Sequence, residues 1–92
     1  MNKNDLSSAI AQEMNTTKKQ AKDFINSFCY TVESKLIEGE EITIKHFGSF
    51  TLRQKRANTD PHNLTVKFYY YPSFRPADNL KSKIKEHYEV NS

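Results

Sequence analysis

The apolar residues of this 92-residue chain change their spacing once, and the change falls at Gly39. Before it they recur every three or four residues, the repeat of one helical face. After it they recur every two, the repeat of a strand with one buried face. The two repeats demand two kinds of element in sequence, so the fold class is α+β with two N-terminal helices first. A three-stranded antiparallel sheet follows, with a protruding β-hairpin arm, and then a short C-terminal helix.

Leu6, Ala9, Ile10 and Met14 form the apolar stripe of the first helix, with Asn2 placed as its N-cap and Asp5 in its first turn. The segment Thr17-Lys18-Lys19-Gln20 has the form of a capping box, in which Thr17 accepts from the Gln20 N–H while the Gln20 side chain reaches back to the Thr17 N–H. Beyond it Ala21, Phe24, Ile25, Phe28, Cys29, Val32 and Leu36 keep helical intervals, and Gly39 provides a left-handed stop. This stripe is wider than the short first helix can cover, so part of it is expected to face a partner subunit. Cys29 lies on the stripe and is expected to be a small buried hydrophobe.

Past Gly39, Ile42 and Ile44 alternate with Thr43 and Lys45, and Phe50 and Leu52 alternate with Thr51 and Arg53. A third run, residues 64–71, is rich in β-branched and aromatic side chains. Between the second and third runs lies Ala57-Asn58-Thr59-Asp60-Pro61-His62-Asn63, a concentration of turn formers. The longest hairpin is therefore expected to run from about Phe50 out to Pro61 and back to about Tyr71. Alternation puts Thr51, Arg53 and Lys55 on one face of it and Phe50, Leu52 and Gln54 on the other. Gly48, between Phe47 and Phe50, marks a bulge or a close backbone approach, which would let the chain turn sharply and both phenylalanines point inward. Pro72 and Pro76 hold the following chain extended, and Leu80, Ile84 and Tyr88 step by four through a short amphipathic helix.

A monomer of this length buries only roughly 60% of the surface its unfolded chain exposes. One cysteine cannot make an intrachain disulfide, so a second copy of the chain is the cheapest supplement to the core. The start MNKNDLSSAI lacks a secretory pattern, and no apolar run approaches the roughly 20 residues that span a bilayer. These features point to a cytoplasmic protein without membrane association. His46, His62 and His87 are scattered without a second ligand at metal spacing, and no nucleophile, base and orienting acid fall together. Neither a metal, a cofactor, a small-molecule substrate nor an enzymatic role is expected.

Charge is unevenly placed. Residues 1–41 hold five bases and seven acids and residues 78–92 hold three of each, whereas residues 42–77 hold Lys45, Arg53, Lys55, Arg56, Lys67 and Arg75 against Asp60 alone. Such a local basic surface on a near-neutral body suits a polyanion. A basic two-stranded ribbon ending in a proline suits duplex DNA: cations neutralise phosphates, and a rigid apolar tip such as Pro61 can enter the minor groove and part a base step.

The segments MNKNDL, ITIKHFGSFTLR, the proline-tipped arm, and PSFRP followed by NLK together resemble the bacterial histone-like HU and integration host factor family, from Met1 to about Lys85. The resemblance implies a single DNA-binding domain over residues 1–92, its arm at about residues 53–69. It implies an intertwined dimer whose two arms embrace double-stranded DNA through the minor groove and bend or compact it with low sequence specificity, on the nucleoid. Carried over, Arg53 and Lys55 fall on phosphate-contacting arm positions, and Pro61 on the intercalating proline. Lys3, Lys18 and Lys81 match body lysines that engage flanking DNA, and Lys45 lies beside the groove-clamping saddle. Arg56, Lys67 and Arg75 complete the candidate DNA-binding set.

The chain departs from the family at its arm tip, where Thr59, Asp60, Pro61, His62 and Asn63 replace an Arg-Asn-Pro and Thr-Gly pattern in a shorter arm. Ala77 and Asp78 replace a Gly-Lys pair after the final proline. The added anions predict weaker affinity or a smaller bend. Phe68, Tyr69, Tyr70 and Tyr71 replace small and aliphatic residues; packing of these rings beneath the sheet is the first expectation, contact of one pair with DNA the second. An RNA-recognition domain fits less well, because Phe47 and Phe50 stand three apart and two helices come first. A different class remains: a divergent member acting as a heterodimer partner or protein-interaction module with weak DNA binding.

Overall fold

The computed structural model describes residues 1–57 and 67–89. Its elements are α1 (Lys3–Met14), α2 (Lys18–Ile37), β1 (Ile42–Ile44), β2 (Gly48–Ala57), β3 (Lys67–Pro76) and α3 (Asp78–His87). These three helices and the antiparallel sheet, ordered β1-β2-β3, give the expected α+β class. Two compact units are present, Met1–Ser34 and Lys35–Ser92.

In the first unit, Asn2 and Asp5 close a reciprocal box. The Asn2 side chain accepts from the Asp5 N–H at 2.9 Å, and the Asp5 carboxylate accepts from the Asn2 N–H at 3.2 Å. Two of the orphan amides at the start of α1 are thereby satisfied, and the acid lies favourably at the positive end of the helix dipole. α1 ends where Asn15 takes a left-handed conformation, φ 54°. Burial falls on one stripe of each helix: Ser7 and Ala11 on α1, Ala21 and Ile25 on α2. The buried Ser7 hydroxyl donates to the Lys3 carbonyl at 2.7 Å, so its burial leaves no polar group unpaired.

Only half of the expected Thr17–Gln20 box forms. Thr17 Oγ1 accepts from the Gln20 N–H at 3.1 Å, but the Gln20 side chain pairs with the Thr16 hydroxyl and not with the Thr17 amide. A free hydroxyl one residue upstream outcompetes the backbone donor. The expectation of a buried Cys29 is also corrected, since Cys29 is exposed in this chain. It shares its stripe with Phe24, 51% exposed, so helical spacing alone did not guarantee cover for either side chain.

In the second unit Gly39 ends α2 at φ +85°, as expected. Its N–H bonds to the Leu36 carbonyl and the Glu40 N–H to that of Lys35, both at 2.9 Å, capping two orphan carbonyls. β1 is shorter than its alternation suggested: Lys45 lies in the β1–β2 turn, where His46 takes φ 69° and the Phe47 N–H bonds to the Ile44 carbonyl at 3.0 Å. β3 runs on to Pro76, past the expected end near Tyr71, with Pro72 opposite Leu52 and Pro76 opposite Gly48. Among the described residues β3 pairs with β2 alone, and an edge strand accommodates the donor that proline lacks. The Leu64–Val66 start proposed for this strand, and the hairpin tip, lie outside the described residues.

Gly48 is a close approach. A Cβ built there would lie 2.5 Å from the Phe74 ring and 2.7 Å from the Arg75 carbonyl oxygen. With that space open, Phe74 stacks obliquely against Phe47 and Phe50, with ring centroids at 5.4 and 5.1 Å. Phe50 is half-buried, whereas Phe47 stays 46% exposed and so is only partly turned inward. The Ala77 N–H donates to the Phe47 carbonyl at 2.9 Å, fixing the start of α3 against the β1–β2 turn. Asp78, read as an added anion, is also the acid in the first turn of α3, a favourable place for it.

Candidate nucleic-acid interface

The register of β2 against β3 sorts the hairpin into two unlike faces. Directly opposed residues share a face, so Ser49 with Arg75, Thr51 with Ser73, Arg53 with Tyr71, Lys55 with Tyr69 and Ala57 with Lys67 form one of them. Thr43 of β1 joins it opposite Ser49, their hydroxyl oxygens 3.0 Å apart. The other face carries Ile42, Ile44, Phe50, Phe74, Leu52, Pro72, Gln54, Tyr70, Arg56 and Phe68.

The first face holds four cations and no acid. Arg53, Lys55, Lys67 and Arg75 are exposed, and among the described residues none of them is held in an ion pair. Lys35 shows the contrast: at the end of α2 it lies 3.5 Å from Glu38 and 3.8 Å from Glu40. The four ribbon cations keep their full positive potential available, spaced along about 30 Å of strand at roughly 3.3 Å per residue. Hydroxyls of Ser49, Thr51, Ser73 and Thr43 line the base of the same face, and Thr51 Oγ1 donates to the Ser73 carbonyl at 3.4 Å.

Of the candidate residues, the sheet thus brings Arg53, Lys55, Lys67 and Arg75 together. Arg56 lies on the opposite face, across from Phe68. Lys45 is exposed in the β1–β2 turn and Lys81 is exposed on α3. Lys3 and Lys18, the first residues of α1 and α2, are exposed in the helical unit. Pro61 lies outside the described residues.

Two features of the face were not anticipated in full. The hydroxyl row at its base is invisible without the register, although Thr43, Ser49 and Thr51 do alternate in sequence. The aromatic run divides between faces: Phe68 and Tyr70 join the apolar side, while Tyr69 and Tyr71 stand on the cationic side. The first expectation, rings packed beneath the sheet, is therefore corrected for Tyr69 and Tyr71, because Lys67 sets the parity of the strand and carries them with it.

An antiparallel ribbon with one cationic, hydroxyl-lined face, carried by a small α+β chain, defines a β-ribbon nucleic-acid-binding architecture. Comparison with known proteins agrees: the family model described as bacterial DNA-binding protein matches residues 1–85, and the chain belongs to that family. DNA-binding protein HU-beta 2 of Neisseria meningitidis is 34% identical over 89 residues, covering 91% of this chain and 98% of the relative. Integration host factor subunit alpha of a Marinomonas species is 30% identical over 92 residues, covering 95% and 94%. Among solved structures, an Anabaena HU–DNA cocrystal structure superposes with a TM-score of 0.75 at 26% identity, covering 91% of this chain and 97% of that one. A point variant of HU from Thermotoga maritima gives 0.72 at 30% identity, covering 92% and 100%.

Proposed function

We propose that residues 1–92 act as one architectural DNA-binding domain that works as a dimer, homomeric or with a related chain, and that grips duplex DNA through the minor groove to bend or compact it. The observation that carries this reading is the four-cation face of the β2–β3 ribbon, free of acids and of ion pairs among the described residues. Arg53, Lys55, Lys67 and Arg75 contact phosphates from the ribbon, while Lys3, Lys18, Lys45 and Lys81 contribute from outside it. Pro61 supplies the wedge between base pairs, and Arg56 a flanking contact. Specificity is low, because the minor groove distinguishes little beyond A·T from G·C. The role is not enzymatic, and a bacterial DNA-binding chain of this kind belongs with the nucleoid in the cytoplasm.

The likeness to a DNA cocrystal structure and to both HU and integration host factor chains supports the DNA-binding role over that of a purely protein-interacting partner. Ligase-catalysed closure of a fragment shorter than the roughly 150 bp persistence length tests it. Added protein raises the yield of circles if it bends DNA, and Pro61→Ala lowers that yield more than it lowers affinity. Circle yield unchanged by saturating protein would contradict bending; equal loss of yield and affinity in the variant would contradict the wedge.

A further inference from the structure

Tyr69 and Tyr71 stand across from Lys55 and Arg53 on the cationic face. Their ring centroids lie 6.4 Å apart with planes inclined by 52°, so the rings are neighbours that do not cover one another. They are 45% and 37% exposed. The face therefore alternates cations with open aromatic surface, the composition of a platform on which a nucleic-acid backbone follows the charges and bases lie on the rings.

An intact duplex cannot use those rings fully. Its bases cover one another's π-faces, and a minor groove about 6 Å wide admits a tyrosine by its edge or hydroxyl. An unpaired strand offers its base faces freely. We infer that Tyr69 and Tyr71 form a stacking site for unpaired nucleobases, which makes single-stranded DNA a second ligand of the ribbon face. The inference rests on the reading of that face as a DNA surface. Stacking is tolerant of base identity, since every base has a π-face, so the site selects strandedness and not sequence.

The test compares three probes by fluorescence anisotropy: a thymine oligonucleotide, an abasic strand of equal length and charge, and an intact duplex. The wild-type protein is expected to bind the thymine strand at least about tenfold more tightly than the abasic strand. A Tyr69→Leu, Tyr71→Leu double variant loses that margin and keeps its abasic-strand and duplex affinities within about twofold, because Leu removes the rings but no charge. A Tyr69→Phe, Tyr71→Phe double variant keeps the margin. Equal wild-type affinity for the thymine and abasic strands would overturn the inference while duplex binding stood. A Phe variant that loses the margin would also overturn it, since the hydroxyls and not the rings would then carry the contact. Absence of wild-type binding to the intact duplex would overturn the underlying reading itself. Should the Leu variant fail to fold, the wild-type comparison and the Phe variant decide the question between them.

Discussion

Gly48 shows how one missing side chain sets the geometry of a surface it does not belong to. Its hydrogen leaves room for the Phe74 ring on the apolar face and for the Arg75 carbonyl beside it. Gly48→Ala places a methyl 2.7 Å from that backbone oxygen, which cannot swing aside as a flexible side chain could. The expected cost is about 1–3 kcal/mol, read as a lower thermal midpoint in a circular dichroism melt. A midpoint unchanged within error would mean that the strand is free to shift there. On the opposite face, Arg53→Ala and Lys55→Ala should each weaken duplex binding uniformly across sequences and make the log–log salt slope shallower by about 1. Arg56→Ala, on the apolar face, should change that slope less than either. A larger effect from Arg56 would reverse the assignment of faces.

At the scale of elements, the helix starts are local devices with local costs. Asn2→Ala removes one acceptor of the reciprocal box with Asp5 and should destabilise the protein by about 1 kcal/mol in denaturant titration; no loss would show the box to be idle in solution. Elements of this kind were legible from sequence because their signals are short-range. The period of α1 and α2, the stop at Gly39 and the four-residue steps of α3 all lie within a few residues of what they control. β3 was less so. Pro72 and Pro76 read as the end of a strand, since proline removes a ladder donor, yet β3 lies at an edge among the described residues and tolerates them. The same limit hid the side on which Tyr69 and Tyr71 stand, because parity depends on pairing across the hairpin. Cys29 was misread for a related reason: a stripe declares which residues are apolar and says nothing of what covers them.

At the scale of the whole molecule, much apolar surface of the single chain faces solvent. Phe24 is 51% exposed, Ile37 79%, Ile84 53% and Tyr88 71%. Among the described residues the buried apolar side chains are Ala11, Ala21 and Ile25. A second copy is the simplest cover, and stability that depends on association varies with concentration. The thermal midpoint should therefore rise as protein concentration is raised, and sedimentation should give twice the chain mass. A midpoint independent of concentration together with a monomer mass would exclude the dimer.

Two such chains offer roughly six to ten phosphate contacts, each expected to steepen the logarithmic salt dependence of binding by about 0.9. The decisive measurement is the affinity for a short intact duplex across a series of salt concentrations. A slope between about −5 and −9 is the predicted result, produced by counterions leaving the phosphates that the ribbon cations replace. A slope near zero, or no measurable binding even at the lowest salt, would contradict a protein that holds DNA by the charge on one face of its β2–β3 ribbon.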